Sequence, residues 1–416
     1  MIGKLIISCL FFADDLVIIG KNRQNLDKLM IVTYEFFKGH DLEISPTKSK
    51  IMSYDAATGE TVFSDSSDAP IITLDQVTSF KYLGAILSCA PYQMFRMYNH
   101  EVKRKTAAYL RRVLSISKNG PDRAKLAYAL WSQMALPSIL YGSEVIPITD
   151  CTIEEIEKCQ SVVGKFILQV PWSTANVVAN IDAGFKPISA IVAEKVLLYA
   201  NKVMRKPQGH WAKIAMNEQI NLGMNSTYTK YLLRMKNDNN CFDPTDNQIR
   251  QMVSRTAVNT VLQKQNQVLK TTFVMKVPKH SGSKTLFRMK PWISDSGTSK
   301  VFSRFRCLNA GLGNRGPASN KQFYRHCPLC EKDGVVAPNN EVHLLVACPA
   351  LESYRENCGV RAFINAMRIL RPAISLSNLY SLYLSDCDTS KIKQRALSLY
   401  YMLKAWHDEL GIAFKF

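Results

Sequence analysis

The sequence predicts an α+β chain with small β-hairpins and one helix first, a mainly helical middle next, and a small metal-binding C-terminal region last. Three observations carry this. Short apolar runs broken by turn residues fill residues 1–90. Helix-period patterns bounded by proline and glycine dominate after Pro91. A cysteine and histidine cluster with metal-ligand spacing lies near the C-terminus.

Residues 5–20 form two apolar runs around Ala13, Asp14 and Asp15, which read as a buried β-hairpin with acids at its tip. Over residues 25–38, Leu26, Leu29, Met30, Thr33 and Phe37 keep helical spacing and Gly39 supplies a stop, so a helix is expected behind the hairpin. Residues 41–54 and 71–87 read as strands and turns on either side of a Ser, Asp and Gly rich loop at 59–70. Then Tyr98, Val102, Tyr109, Val113 and Ile116 share one helix face, with Lys103, Arg104 and Arg111 pointing away from it. A second helix of this region starts at Pro121 and stops before Pro137; a third opens with Thr152 and Glu155 as a capping box and stops at Pro171. Further helices fit residues 188–206 and 246–270, with a hinge at 237–247 and a linker at 278–300. The expected division is 1–90, 91–236, 237–300 and 301–416.

With 47% hydrophobic and 10% aromatic residues in 416, the chain can bury a core, which excludes intrinsic disorder. A net charge of +19, from 53 Lys and Arg against 34 Asp and Glu, creates a field that attracts polyanions, with nucleic acid the leading partner class. The 11 cysteines are an odd number scattered through a long chain. They fit free thiols plus a metal site in a reducing compartment, hence an intracellular protein of nucleus or cytoplasm. Residues 1–13 imitate a short secretory signal, with Lys4 ahead of an apolar run, yet they read better as the first hairpin. Asp14, Asp15, Pro137, Glu144 and Pro147 interrupt the runs that come nearest to a membrane span, so no membrane partner is expected.

Two constellations carry chemistry. Nucleotidyl transfer by the two-metal route needs carboxylates that hold Mg²⁺ ions against the attacking hydroxyl and the leaving pyrophosphate. Asp14 and Asp15 on a hairpin tip meet part of that need, although an Asp pair is also a common turn former. Cys327, Cys330, His343 and Cys348 have two, twelve and four residues between successive members. Three thiolates and one imidazole at such spacing make a closed tetrahedral Zn²⁺ site, structural because no position is left open for a substrate.

Phe12, Ala13, Asp14 and Asp15 resemble the catalytic hairpin of non-LTR (LINE-type) retrotransposon reverse transcriptases. Leu42, Ile44, Lys48 and Met52 resemble the next palm motif of that family, with Ser45 and Ser49 in place of its usual Asn and Thr. Phe80, Lys81, Tyr82, Leu83 and Gly84 resemble its primer-grip hairpin. The run LPSILYGSEV, residues 153–171, and Gly184 with Pro187 and Ile188 resemble the helical region that follows. The cysteine cluster, with Arg304, Arg306 and Arg315 before it and Pro349 after, resembles the family's C-terminal CCHC motif.

The resemblance implies a partial polymerase palm, a thumb-like helical bundle and a zinc region, with an RNA template and a DNA primer or target as partners. It implies that Asp14 is a Mg²⁺ ligand, Asp15 the supporting acid, and Lys48 a cation near the departing pyrophosphate. Residues 80–84 would hold the primer, and Lys103, Arg104 and Arg111 would face nucleic acid. The family's further palm aspartate lies well upstream, and no later acid matches it, so the start at Met1 reads as late. Polymerisation by this chain alone is therefore not expected; a missing N-terminal half in trans is an expected partner. A second reading is a non-catalytic nucleic-acid-binding zinc protein, domesticated or degenerate. Asp386, Asp388 and Lys391 approach an acid and lysine constellation, but not in the context of the nuclease that some relatives carry.

Overall fold

Among the described residues, seven short strands and one helix come first, and the elements after them are helices. The computed structural model describes residues 7–53, 59–64, 70–221, 245–269, 289, 293–294, 296–307, 312, 326–384 and 389–411. Most of the expected hinge and linker, together with Arg315, Asp386 and Asp388, lie outside these residues. Two compact units are formed: Met1–Lys103, Leu140–Thr152 and Val192–Ile249 make the first, and Arg104–Ile139, Ile153–Ile191 and Arg250–Phe416 the second. Among the described residues, no helix is long and apolar enough to cross a membrane.

In the first unit, β1 (Cys9–Phe12) and β2 (Asp15–Ile18) pair antiparallel, with Phe12 opposite Asp15. The hairpin was expected to be buried, but Phe11 and Phe12 are 61% and 63% exposed. Among the described residues the ribbon pairs only within itself, and Ile18 of β2 packs together with Leu26 of α1 on one side of it. Helix α1 (Arg23–Lys38) starts where the Asn22 side chain accepts from the Asn25 amide at 2.9 Å and ends at Gly39. Its inward face is the expected one: Met30 is buried and Leu26, Leu29, Thr33 and Phe37 are half-buried.

Met30 meets Phe63, Ile72 and Leu74 in the core of this unit, with Ile18 and Leu26 packed against it. Each such side chain contributes roughly 1.5–3 kcal/mol on burial. Phe63 lies on β4 (Gly59–Ser64), a strand where a loop was expected. Thr61 and Phe63 point inward and Val62 outward, the period-two alternation that a half-buried strand needs. Strand β4 pairs antiparallel with β5 (Pro70–Gln76), and β3 (Lys50–Ile51) pairs parallel on the other side of β5, held by Lys50 and Asp75. Of residues 41–54, only β3 is extended enough to pair among those described.

A second hairpin joins β6 (Ser79–Tyr82) to β7 (Ala85–Ser88). Leu83 and Gly84 both adopt left-handed φ, 47° and 80°, as a type I′ turn requires. The Tyr141 hydroxyl donates to the Leu83 carbonyl at 3.0 Å, and a Cβ at Gly84 would lie 3.0 Å from the Tyr141 ring. Gly84→Ala therefore combines backbone strain with a crowded ring and is expected to destabilise the hairpin by about 1–2 kcal/mol. Faster amide exchange over β6 and β7 is the measurement that checks it.

The next helix, α2 (Pro91–Lys118), buries Tyr98, Val102 and Val113 as expected, but Ile116 is 51% exposed and Ser117 is buried instead. Ser117 follows the buried Thr106 by eleven residues, about three turns, whereas Ile116 falls to one side. In the second unit, α3 (Arg123–Ala129) continues as a π-helical stretch (Leu130–Ala135) and then α4 (Leu136–Ile139). The helix thus runs past Pro137 instead of stopping before it. The π stretch absorbs the bond that proline cannot donate, since the Leu136 amide already reaches back five residues to Trp131.

Helix α5 (Asp150–Leu168) begins earlier than expected. The Thr149 hydroxyl, not Thr152, accepts from the chain, taking the Thr152 amide at 3.3 Å. Near its middle, Gln160 accepts from the buried Trp131 indole at 3.2 Å and donates to the Lys186 carbonyl at 3.1 Å. A turn away, Glu157 accepts the Ile188 amide at 2.6 Å, which caps α7 (Ile188–Met204) after α6 (Asn176–Ala183) and the left-handed Gly184. After α8 (Trp211–Asn221) and α9 (Asp246–Leu269), α10 (Gly297–Arg306) starts inside the expected linker, because the Ser296 hydroxyl caps it at Ser299. Among the described residues, the α-helices that follow are α11 (Pro328–Lys332), α12 (Glu352–Asn357), α13 (Val360–Leu370), α14 (Leu376–Tyr383) and α15 (Thr389–Glu409).

Candidate functional site

The acid pair sits where the first hairpin reverses. Ala13 takes a left-handed φ of 53°, unusual for a residue with a Cβ, and this permits a two-residue turn that leaves the Asp14 and Asp15 side chains exposed at the tip. Such strain persists only where the surrounding structure imposes it, and it concentrates at functional sites. Lys48 is exposed in the turn before β3. Among the described residues, no third metal-binding side chain joins Asp14 and Asp15. Phe80 and Tyr82 are half-buried, whereas Lys81, Leu83 and Gly84 are exposed at the tip of the β6–β7 hairpin. Residues 3–87 match the family model of reverse transcriptase (RNA-dependent DNA polymerase). The matched segment contains Asp14, Asp15, Lys48 and the β6–β7 turn. No significant match occurs among curated proteins or solved structures. Two further sets of side chains that the sequence singles out lie outside the matched segment.

The first is the basic face of α2. Arg104 and Arg111 are exposed, as expected, but Lys103 is half-buried with its ammonium 3.6 Å from the Cys151 sulfur. Arg304 and Arg306, expected to precede the metal cluster as a basic stretch, are likewise not free surface cations. Arg306 is buried against Asp182 in a bidentate pair, Nε to Oδ2 at 2.9 Å and Nη2 to Oδ1 at 2.8 Å, and also donates to the Leu384 carbonyl. Arg304 is half-buried and donates to the Gln169 carbonyl at 3.3 Å.

The second is the Cys₃His cluster, which the structure does bring together. Cys327, Cys330, His343 and Cys348 are all buried, and their ligand atoms lie within 4.8 Å of one another. Cys330 and Cys348 sulfurs are 3.7 Å apart, Cys327 and Cys348 sulfurs 3.9 Å, and Cys330 lies 3.2 Å from His343 Nε2. A tetrahedral ion with sulfur at about 2.3 Å places its sulfurs about 3.8 Å apart, so these donors could hold one metal ion of that size.

Local structure explains the convergence. Cys327 precedes Pro328 at the first position of α11, which puts Cys330 one turn on, and the left-handed Gly334 turns the chain back so that the Cys327 amide reaches Ala337 at 2.7 Å. The Asn340 side chain accepts from the His343 amide at 2.8 Å. The stretch His343–Ala347 is a single π turn in which the Cys348 amide bonds back to His343 at 2.8 Å. Residues five apart thereby fall on one side. Hydrogen bonding from Cys348 lowers the Cys327 thiol to about 3, burial raises Cys330, and the bond to Cys327 together with burial raises Cys348. Three buried thiols so close resist joint ionisation; a bound divalent cation deprotonates coordinating thiols outright.

Two further potential ligands near in sequence, His326 and Cys358, stay outside the cluster; His326 bridges to Pro338 and the Cys358 carbonyl accepts from Ser398. Sequence reasoning missed Arg355. Only 1% exposed, it donates to the carbonyls of Cys348 and Leu344 and pairs with Glu352 at 2.5 Å, so it fixes the backbone behind the last sulfur. No periodicity marks it; the one available signal is an arginine placed seven residues after a ligand.

Proposed function

We propose that this chain is the nucleic-acid-binding part of a LINE-type reverse transcriptase: the end of a palm, a thumb-like helical region and a C-terminal zinc region. The observation that carries the reading is the strained hairpin that presents Asp14 and Asp15 inside the segment matching the reverse transcriptase model. Mg²⁺, when bound, would supply Lewis acidity at the transferred phosphoryl group. Asp14 and Asp15 would hold one side of that site, and Lys48 would offset charge on the leaving pyrophosphate. Residues Phe80, Lys81, Tyr82, Leu83 and Gly84 would support the primer backbone, and Arg104 and Arg111 would attract the duplex. Zn²⁺ in the Cys₃His cluster would be structural, since four protein donors close a tetrahedral ion.

Two carboxylates alone leave Mg²⁺ short of protein ligands, and no described residue adds a third. By itself the chain therefore binds RNA or DNA without extending a primer. Purified protein is expected to bind RNA with an affinity that falls steeply with salt, and to incorporate no nucleotide in primer extension with Mg²⁺. Incorporation that Asp14→Asn abolishes would overturn the incomplete site. Failure to bind RNA or DNA at low salt would overturn the binding role.

A further inference from the structure

The turn between α7 and α8, residues 205–210, is drawn together by its own hydrogen bonds. The His210 amide donates to the Pro207 carbonyl at 3.0 Å, and the His210 Nδ1 accepts from the Ala212 amide at 3.2 Å, so the imidazole is held against the first turn of α8. The Lys213 ammonium reaches back to the Lys206 carbonyl at 3.1 Å. That bond closes the stretch 206–213 on itself, with His210 and Trp211 inside the loop it makes. The Trp211 indole stacks on the His210 ring, with centroids 5.6 Å apart and planes 26° from parallel.

Two features separate this knuckle from an ordinary solvated turn. Trp211 is 47% exposed although the imidazole backs one side of its ring. A ring that is held in place and still open to water loses little further freedom when a ligand arrives. Lys206 is exposed and Lys213 half-buried, and among the described residues no carboxylate pairs with either ammonium. Asp246, at the start of α9, is taken by Asn201 at 2.7 Å and Arg205 at 3.4 Å, and Glu218 lies about two turns further along α8. Uncompensated ammonium groups call for an anion, and a backed but open indole calls for a flat ring. A strand of unpaired nucleotides offers both, whereas a duplex hides the faces of its bases and an acidic peptide carries no ring beside each charge.

We infer that this knuckle contacts single-stranded nucleic acid, with a base stacked on the open side of the Trp211 indole and Lys206 and Lys213 offsetting the charge of adjacent phosphates. The inference rests on the nucleic-acid-binding role proposed above and places a contact outside residues 3–87.

The full chain is titrated with labelled oligouridylate, followed by fluorescence anisotropy. Trp211→Ala is expected to weaken binding roughly 5- to 100-fold, and Trp211→Phe to recover most of it. Lys213→Gln keeps a donor for the Lys206 carbonyl and removes the charge, so it should flatten the salt dependence by about one ionic contact. In the unaltered chain, photocrosslinking should attach the strand to the peptide that contains Trp211, a readout that needs no variant to fold. Affinity within twofold of the unaltered chain for Trp211→Ala, or a crosslink that avoids this peptide, overturns the inference. An equal loss of inorganic polyphosphate binding in Trp211→Ala also overturns it, because polyphosphate has no base to stack. So does polyglutamate binding that Trp211→Ala abolishes while oligouridylate binding stays the same. If the unaltered chain binds no nucleic acid, the proposed function fails and this contact with it; if it binds and these variants are indifferent, only this contact fails.

Discussion

Asp182→Ala is expected to lower the stability of the second unit by about 3–5 kcal/mol, because it strands a buried guanidinium. Arg306 and Asp182 are each only 7% exposed, and their two parallel hydrogen bonds join α10 to the end of α6. The same guanidinium donates to the Leu384 carbonyl, and the buried Tyr380 hydroxyl donates to the Phe305 carbonyl at 2.5 Å, so two bonds tie α10 to α14. Urea unfolding should show the loss as a lower midpoint, and hydrogen exchange should place it in α10. Replacing both partners by apolar residues, Asp182→Leu with Arg306→Met, should recover much of it, since neither charge then needs a partner. A loss below about 1 kcal/mol for the single variant would show that water relieves the stranded charge.

The second large effect concerns the Cys₃His cluster. With zinc as the proposed ion, Cys330→Ser should reduce zinc affinity at least ~100-fold, because metal binding and local folding are one free energy. Chelator should likewise speed amide exchange over residues 326–358 of the unaltered chain. Arg355→Met leaves all four donors in place and should weaken zinc by roughly 10- to 100-fold, the usual scale for a group that orients a ligand. Competition with a zinc indicator measures both. Unchanged exchange after chelation, in a protein that purifies without zinc, would reduce the cluster to packed thiols.

What the sequence made legible is what short spacing decides. The Asp14 and Asp15 tip, the face of α1 and the four clustered ligands each lie within a span whose geometry is set by one turn or one helix. Errors arose where a distant residue decides. Arg306 reads as one cation in a basic stretch until Asp182, 124 residues away, is folded against it. Lys103 reads as outward until Cys151 is placed beside it. Pro137 reads as a stop because the π stretch that accommodates it has no composition of its own. Residues 59–64 read as loop because their alternation is short and bordered by Ser and Gly, and only β5 beside them makes a strand.

The single π turn between His343 and Cys348 divides the metal cluster into a segment that tolerates changes of length and one that does not. Twelve residues separate Cys330 from His343, and the tip of this segment, Val335 and Val336, stands in solvent between two backbone bonds that reach ligand residues, the Val335 amide to the Cys330 carbonyl at 2.9 Å and the Cys327 amide to the Ala337 carbonyl at 2.7 Å, so a residue added at the tip can bulge outward between them. One residue added between His343 and Cys348 would rotate the last sulfur by about 100° around the helix axis and carry the Arg355 anchor with it. Added length is therefore better tolerated at the exposed tip than between His343 and Cys348, a rule of register that no substitution experiment would disclose.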